Sequence, residues 1–281
     1  MLRWFSKERI TDPTLVALRA RWRKAIRRIA VVSLGTAFIG ILLVSGATLG
    51  NFFQTPDSAM PVVPITSYVH LSTIGHYVSV VEMCDPEEPD CVLPEMKSYK
   101  ISAGSAVKIS GNRLLSAGHV CEAAIEVQGA VGMMDIEGDV LVDSDFLAID
   151  HLGQAHSVKI LAIHAEPDLC ILQAAGVAGE EAVISDSRPY AAEKVWNVAS
   201  PQGIFTAGAP IILDGFFTGE LDKSIGDQYT IPGAPGSSGS PVFRSDGTIV
   251  GIIHSVHPQF EHATYAATLA SIQAIELVTR P

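Results

Sequence analysis

Ile29 to Gly50 is a run of 22 residues without one charged side chain, long enough as a helix, at ~1.5 Å per residue, to cross a bilayer once. It divides the chain into a short arm, a membrane-spanning helix and a long remainder. Residues 1–28 carry nine Lys and Arg against Glu8 and Asp12, a local +7, which leaves −18 on residues 51–281 for an overall −11. The cluster Arg19, Arg21, Arg23, Lys24, Arg27 and Arg28 lies wholly on the N-terminal flank. The positive-inside rule therefore puts residues 1–28 in the cytoplasm and 51–281 in a periplasm or outside the cell. A buried core helix and a signal peptide cleaved near Ser45-Gly46-Ala47 are the competing readings. The long basic start and the length of the apolar run favour an uncleaved anchor. Within the arm, Asp12-Pro13 opens a helix, and Leu15, Leu18, Trp22, Ile26 and Ile29 follow at helical spacing. This is either a basic amphipathic helix on the inner membrane face or a solvated arm.

The acidic remainder excludes a nucleic-acid partner, because phosphate binding needs the opposite sign. An apolar content of 48% excludes a disordered chain, and four cysteines in 281 residues cannot make a disulfide-dominated miniprotein. Cys84, Cys91, Cys121 and Cys170 all fall on the outer side, where disulfides persist, and no C-x-x-C pair suggests structural zinc. The acidic loop DPEEPD reads as a solvated turn in preference to a calcium site, since one loop alone would supply the ligands.

Residues 51–72, broken by Pro56, Pro61 and Pro64, read as an extended linker. From residue 73 short apolar or alternating runs are separated by Gly, Pro, Asp and Ser: YVSVVEM, SAVKI, VKILAI, LCILQ, KVWNVAS, PIILDGFF, SPVF and TIVGIIHSV. That pattern predicts an all-β domain over 73–281. Thr268–Val278 switches to helical spacing and predicts a closing helix.

Three segments carry chemistry. Gly236-Ser237-Ser238-Gly239-Ser240-Pro241 stands between a Gly/Pro-rich turn and an apolar strand, where small neighbours can expose a serine Oγ and let free backbone N–H groups converge. SAGHV places His119 after a strand and a small-residue corner, with a helical turn following. EPDLCIL places Asp168 between a turn and an apolar strand. Singly, each is an ordinary turn, a structural histidine or a strand-start cap; together they change the weighing.

In the order His119, Asp168, Ser238, these segments resemble the trypsin/chymotrypsin-like serine peptidases, and G-x-S-G-S-P-V-F resembles the bacterial branch that includes glutamyl endopeptidases. The resemblance covers residues 73–280. It implies two antiparallel six-stranded β-barrels with the site between them, the first ending near residue 182 and the second starting near 190. It implies a serine endopeptidase acting on protein or peptide substrates without cofactor or metal. Ser238 would be the nucleophile, His119 the base and Asp168 its orienting carboxylate, with the N–H groups of Gly236 and Ser238 as oxyanion hole. Ser237, Ser240, His164, Asp145 and Asp150 are the minor alternatives; Asp145 and Asp150 are set aside for want of a following apolar strand.

Departures refine this. Ser237 replaces the aspartate that pairs with a released N-terminus in the digestive enzymes, which disfavours activation by that route. Pro232 stands where trypsin-like enzymes bind Lys or Arg. His254 lies one position beyond the glutamyl-endopeptidase histidine, which turns it to the other strand face unless a bulge intervenes, and towards Asp168. The expected P1 residue is small or medium and apolar, in a pocket drawn from Ile231, Pro232, Gly233, His254, Ser255 and Val256. From the same frame, Cys121–Cys170 and Cys84–Cys91 are the expected disulfides. A catalytically silent binding or sensor module on the same fold is the rival function. The oligomeric state and natural substrate are not encoded in these motifs.

Overall fold

The computed structural model describes residues 61–79, 96–136, 138–221 and 225–279. The arm 1–28, the run 29–50 and the pair Cys84 and Cys91 lie outside them. Among the described residues no helix is long and apolar enough to cross a membrane.

The first half is one eight-stranded antiparallel sheet. Its strands are β1 (Tyr68–Ser79), β2 (Lys97–Lys108), β3 (Arg113–Ala117), β4 (Asp135–Ile136), β5 (Asp139–Ile149), β6 (Ala155–Ser157), β7 (Lys159–His164) and β8 (Leu169–Gln173). They run in the order β4-β5-β1-β2-β3-β8-β7, with β6 on β5. The expected closed six-stranded barrel is therefore corrected. β6 pairs with β5 and β7 with β8, and the pairing changes partner at Val158, whose N–H reaches the Phe146 carbonyl (3.2 Å). β1 begins at Tyr68, inside the stretch read as linker, and residues 62–67 already bond to the domain through Val62 N–H to the Ser245 carbonyl (3.1 Å).

The second half is a closed barrel of β9 (Lys194–Ala199), β10 (Ile211–Glu220), β11 (Asp227–Tyr229), β12 (Pro241–Phe243), β13 (Ile249–His257) and β14 (Phe260–Ala267). Helix α1 (Gly118–Gly129) follows β3, and α2 (Leu269–Thr279) ends the fold close to where helical spacing predicts it. Together these make a mostly β, chymotrypsin-like architecture with a short C-terminal helix.

Burial explains the strand types. β10 alternates between core and solvent, with Leu213, Gly215 and Phe217 inward and Ile212, Asp214 and Phe216 outward, the two-residue period of a half-exposed strand. β8, β12 and the start of β13 are buried almost throughout. Leu169 and Ile171 of β8 join Phe243, Ile249 and Ile252 of the barrel and Ile272 and Ile275 of α2 in one core. Strands covered on both faces lose the alternation and read as continuous apolar runs. That shared core fixes the edges of the two sheets against each other, and the chemical residues sit at their junction.

Candidate active site

His119 is the second residue of α1, whose N-cap, Ala117, offers no side-chain cap. The cap comes from Asp168 instead, 49 residues away, whose Oδ1 accepts the His119 backbone N–H at 2.8 Å. Its Oδ2 accepts from His119 Nδ1, also at 2.8 Å. A carboxylate at a helix N-terminus meets unsatisfied N–H groups and the positive end of the dipole. Burial works to raise the Asp168 pKa, but the bonds from the ring and backbone of His119 and the charges of His119 and His254 outweigh it and hold it below the ordinary 3.8. Asp168 reaches this position from a left-handed φ of 58°. Gly118 leaves the room, since a Cβ there would lie 2.9 Å from Oδ1. Cys121 of α1 and Cys170 of β8 form the expected disulfide and tie the two segments together.

Ser238 occupies the turn before β12 and donates its Oγ–H to the His254 carbonyl (3.3 Å) instead of to His119. Its neighbours are spoken for. Ser237 and Ser240 are buried, and Ser240 Oγ accepts from Asn197 Nδ2 (2.8 Å). Gly239 holds φ 88°, and a Cβ there would sit 1.9 Å from the Ser105 carbonyl oxygen, so only glycine fits beside Ser238. Among the described residues, the N–H groups of Gly236 and Ser238 donate to no protein acceptor, while the carbonyls around them are all engaged.

The side chain of His254 faces Asp168, with Nδ1 4.0 Å from Oδ2. Its Nε2–H donates to the Ile225 carbonyl (3.1 Å), and Nδ1 accepts from Ser255 Oγ (3.0 Å). Burial pushes its pKa below 6.5, against the opposing pull of Asp168. Of the other expected pocket residues, Ile231 is fully buried in the barrel core with Val195, Phe217 and Tyr229. Gly233 backs onto Val256 and Thr264 with no space for a Cβ, and its N–H bonds to the Glu261 carbonyl (2.9 Å). Pro232 and Val256 are half-buried and Ser255 is exposed.

The alternative residues are engaged elsewhere. Asp145 does stand before an apolar strand end, within β5, contrary to expectation. It binds His76 (Nε2 to Oδ2, 3.0 Å), whose Nδ1 bonds Ser98 Oγ (2.8 Å). This Ser98-His76-Asp145 chain of hydrogen bonds, which sequence reasoning missed, lies flat across three paired strands with Asp145 55% exposed, as cross-strand polar pairs do. Asp150 is buried and accepts from His156 and three backbone N–H groups. His164 ends β7. Among the described residues no group of three His, Cys, Asp or Glu converges to hold a metal ion.

Behind the Ser238 turn lies a buried polar cluster that no motif signalled. His70 Nδ1 bonds Ser200 Oγ (2.9 Å), Tyr68 bonds Ser105 Oγ (3.1 Å), and Ser105 Oγ donates to the Gly236 carbonyl (2.8 Å).

A family model described as a trypsin-like peptidase domain matches residues 104–252, a span that contains His119, Asp168 and Ser238. Among solved structures, the Rv3671c protease from M. tuberculosis in its active form is 12% identical over 75% of this chain and 79% of its own, with a TM-score of 0.50. A serine endoprotease from Yersinia pestis is 14% identical over 76% of this chain, with a TM-score of 0.52, and the match spans 63% of that chain. At such identities the likeness is one of fold. No curated protein matches the chain.

Proposed function

Because the chain belongs to the trypsin-like peptidase domain family and is a serine-type peptidase, we propose that Ser238, His119 and Asp168 form its catalytic triad. The observation that carries this is the double hold of Asp168 on His119, on its backbone N–H and its Nδ1. A ring held by Nδ1–H presents Nε2 as a base. Ser238 Oγ attacks the scissile carbonyl carbon while Nε2 takes its proton, and Asp168 steadies the imidazolium. The same proton then passes to the departing amine, and water repeats the sequence on the acyl-enzyme. Gly236 and Ser238, whose N–H groups have no protein acceptor among the described residues, supply the oxyanion donors.

The substrate is a protein or peptide. The orientation of His254 towards Asp168 supports an apolar P1 preference over the acidic one of glutamyl endopeptidases, with Pro232, Gly233 and Val256 beside it. The charge-free run 29–50 and its basic flank support a single-pass anchor that leaves the peptidase domain periplasmic or extracellular.

A catalytically silent binding module is the second reading, favoured by one observation: Ser238 Oγ is bonded to the His254 carbonyl. Hydrolysis of a fluorogenic peptide library by the full chain separates the two. The peptidase reading requires cleavage that Ser238→Ala abolishes, with small or medium apolar residues enriched at P1; binding without turnover supports the silent module.

A further inference from the structure

Residues 231–241, which carry the proposed nucleophile, contain no charged side chain, and Ser237 is buried with its Oγ accepting from the Ala234 N–H (3.4 Å). The turn therefore has no ionic anchor of its own. Its shape is set by its carbonyls. Pro235 O accepts from Gln202 N–H (2.6 Å), Ser237 O from Ser240 N–H (3.0 Å) and Ser238 O from Ser105 N–H (2.8 Å). Gly236 O accepts from Ser105 Oγ (2.8 Å), with Ser200 Oγ 3.4 Å away. In a trans peptide the C=O of one residue and the N–H of the next point in opposite directions. Fixing Pro235 O and Ser237 O thus aims the Gly236 and Ser238 N–H groups the other way, away from these inner partners.

The donor that aims the Gly236 N–H comes from Gln202, in the turn Pro201–Gly203, which holds a left-handed φ of 55°. A non-glycine residue stays there only if its surroundings hold it. Ser200 opens that turn. Its carbonyl accepts from Gly203 N–H (2.9 Å) and lies where a Cβ on Gly236 would come within 2.5 Å. Ser200 is in turn held by His70, 97% buried in β1 and stacked on Phe205 at 5.1 Å. Lys100 Nζ lies 3.5 Å from His70 Nε2. An ammonium can only donate, so Nε2 is the acceptor and the proton sits on Nδ1, facing Ser200. Burial and Lys100 push the His70 pKa down to about 4, which keeps the ring neutral.

We infer that His70 is a positioning residue for catalysis: through Ser200 and the 201–203 turn it holds the Pro235 carbonyl, and so the direction of the Gly236 N–H in the oxyanion hole. The inference rests on the proposed triad and hole, and its test separates the two. The second-order rate of inactivation by a fluorophosphonate is measured across pH on the full chain and on His70→Leu, His70→Asn and Ser200→Ala. Losing an oxyanion donor costs about 10²-fold, so His70→Leu falls by about that factor and Ser200→Ala by about tenfold. His70→Asn, whose amide N–H replaces Nδ1–H, recovers to within about tenfold of wild type. The pH profile keeps its wild-type midpoint in all of them.

A folded His70→Leu that labels within threefold of wild type overturns the inference while leaving the peptidase reading intact. Should His70→Leu not fold, Ser200→Ala decides, and labelling at the wild-type rate overturns it equally. A wild-type chain that does not label overturns the peptidase reading, and the inference with it.

Discussion

Asp168 grips His119 twice, Oδ1 on the backbone N–H and Oδ2 on the ring Nδ1, each at 2.8 Å. One carboxylate thereby caps helix α1 and fixes the imidazole tautomer. The two roles can be separated by mutation.

Asp168→Asn keeps an oxygen for the backbone N–H but no longer accepts from Nδ1–H in the same way. Peptide hydrolysis should fall about 10⁴-fold, as for other triads with this change, while the melting temperature shifts little. Asp168→Ala loses the cap as well and should cost about 1 kcal/mol more in stability. Paired rate and thermal-melt measurements check this, and equal melting temperatures for the two variants would contradict the capping role.

Gly239→Ala should abolish folding or cost about 3 kcal/mol or more. The residue holds φ 88°, and its added Cβ would meet the Ser105 carbonyl oxygen at 1.9 Å. Urea titration of the variant, with an unchanged midpoint as the contradicting result, tests it.

The bridge between Cys121 and Cys170 closes a loop of 49 residues, for which chain entropy gives about 4 kcal/mol of stabilisation. It also joins the helix of His119 to the strand after Asp168. The double variant Cys121→Ala/Cys170→Ala should lose about 2–4 kcal/mol on denaturation and lose activity in parallel. A variant as stable as the parent would contradict this.

His70 is neutral when folded, with its pKa pushed down to about 4 from 6.5. Between those values the unfolded chain binds the extra proton, so stability rises with pH across the window and is lost as pH falls from 6.5 towards 4. The loss attributable to His70 is at most about 3 kcal/mol. Asp168 follows the same sign in a more acidic window. Held below 3.8, its contribution is complete above that value and disappears only at lower pH. Denaturation at several pH values should show a shallower slope between 4 and 6.5 for His70→Asn than for wild type; identical slopes would contradict the buried neutral state.

The parts legible in the sequence were those with local signatures. LCIL, PVF and TIVGII are buried on both faces, and Ser238, His119 and Asp168 stand in small-residue or strand-edge contexts that one short window can hold. β5 and β14 escaped because DVLVDSDFLAI and FEHATYAA carry acids and histidines on their outward faces. The full length of α1 escaped because its cap is supplied by a residue 49 positions away. His70 was invisible for the same kind of reason: it meets Ser200 across 130 residues of chain, and only the packed fold brings them together.

The most direct test of the triad is to map where a fluorophosphonate attaches on the full chain, by intact mass followed by peptide sequencing. A single adduct is expected on Ser238, absent in Ser238→Ala and reduced by at least about 10³-fold in His119→Ala. A folded chain that takes up no probe, or an adduct on another residue such as Ser98 or Ser240, would contradict it.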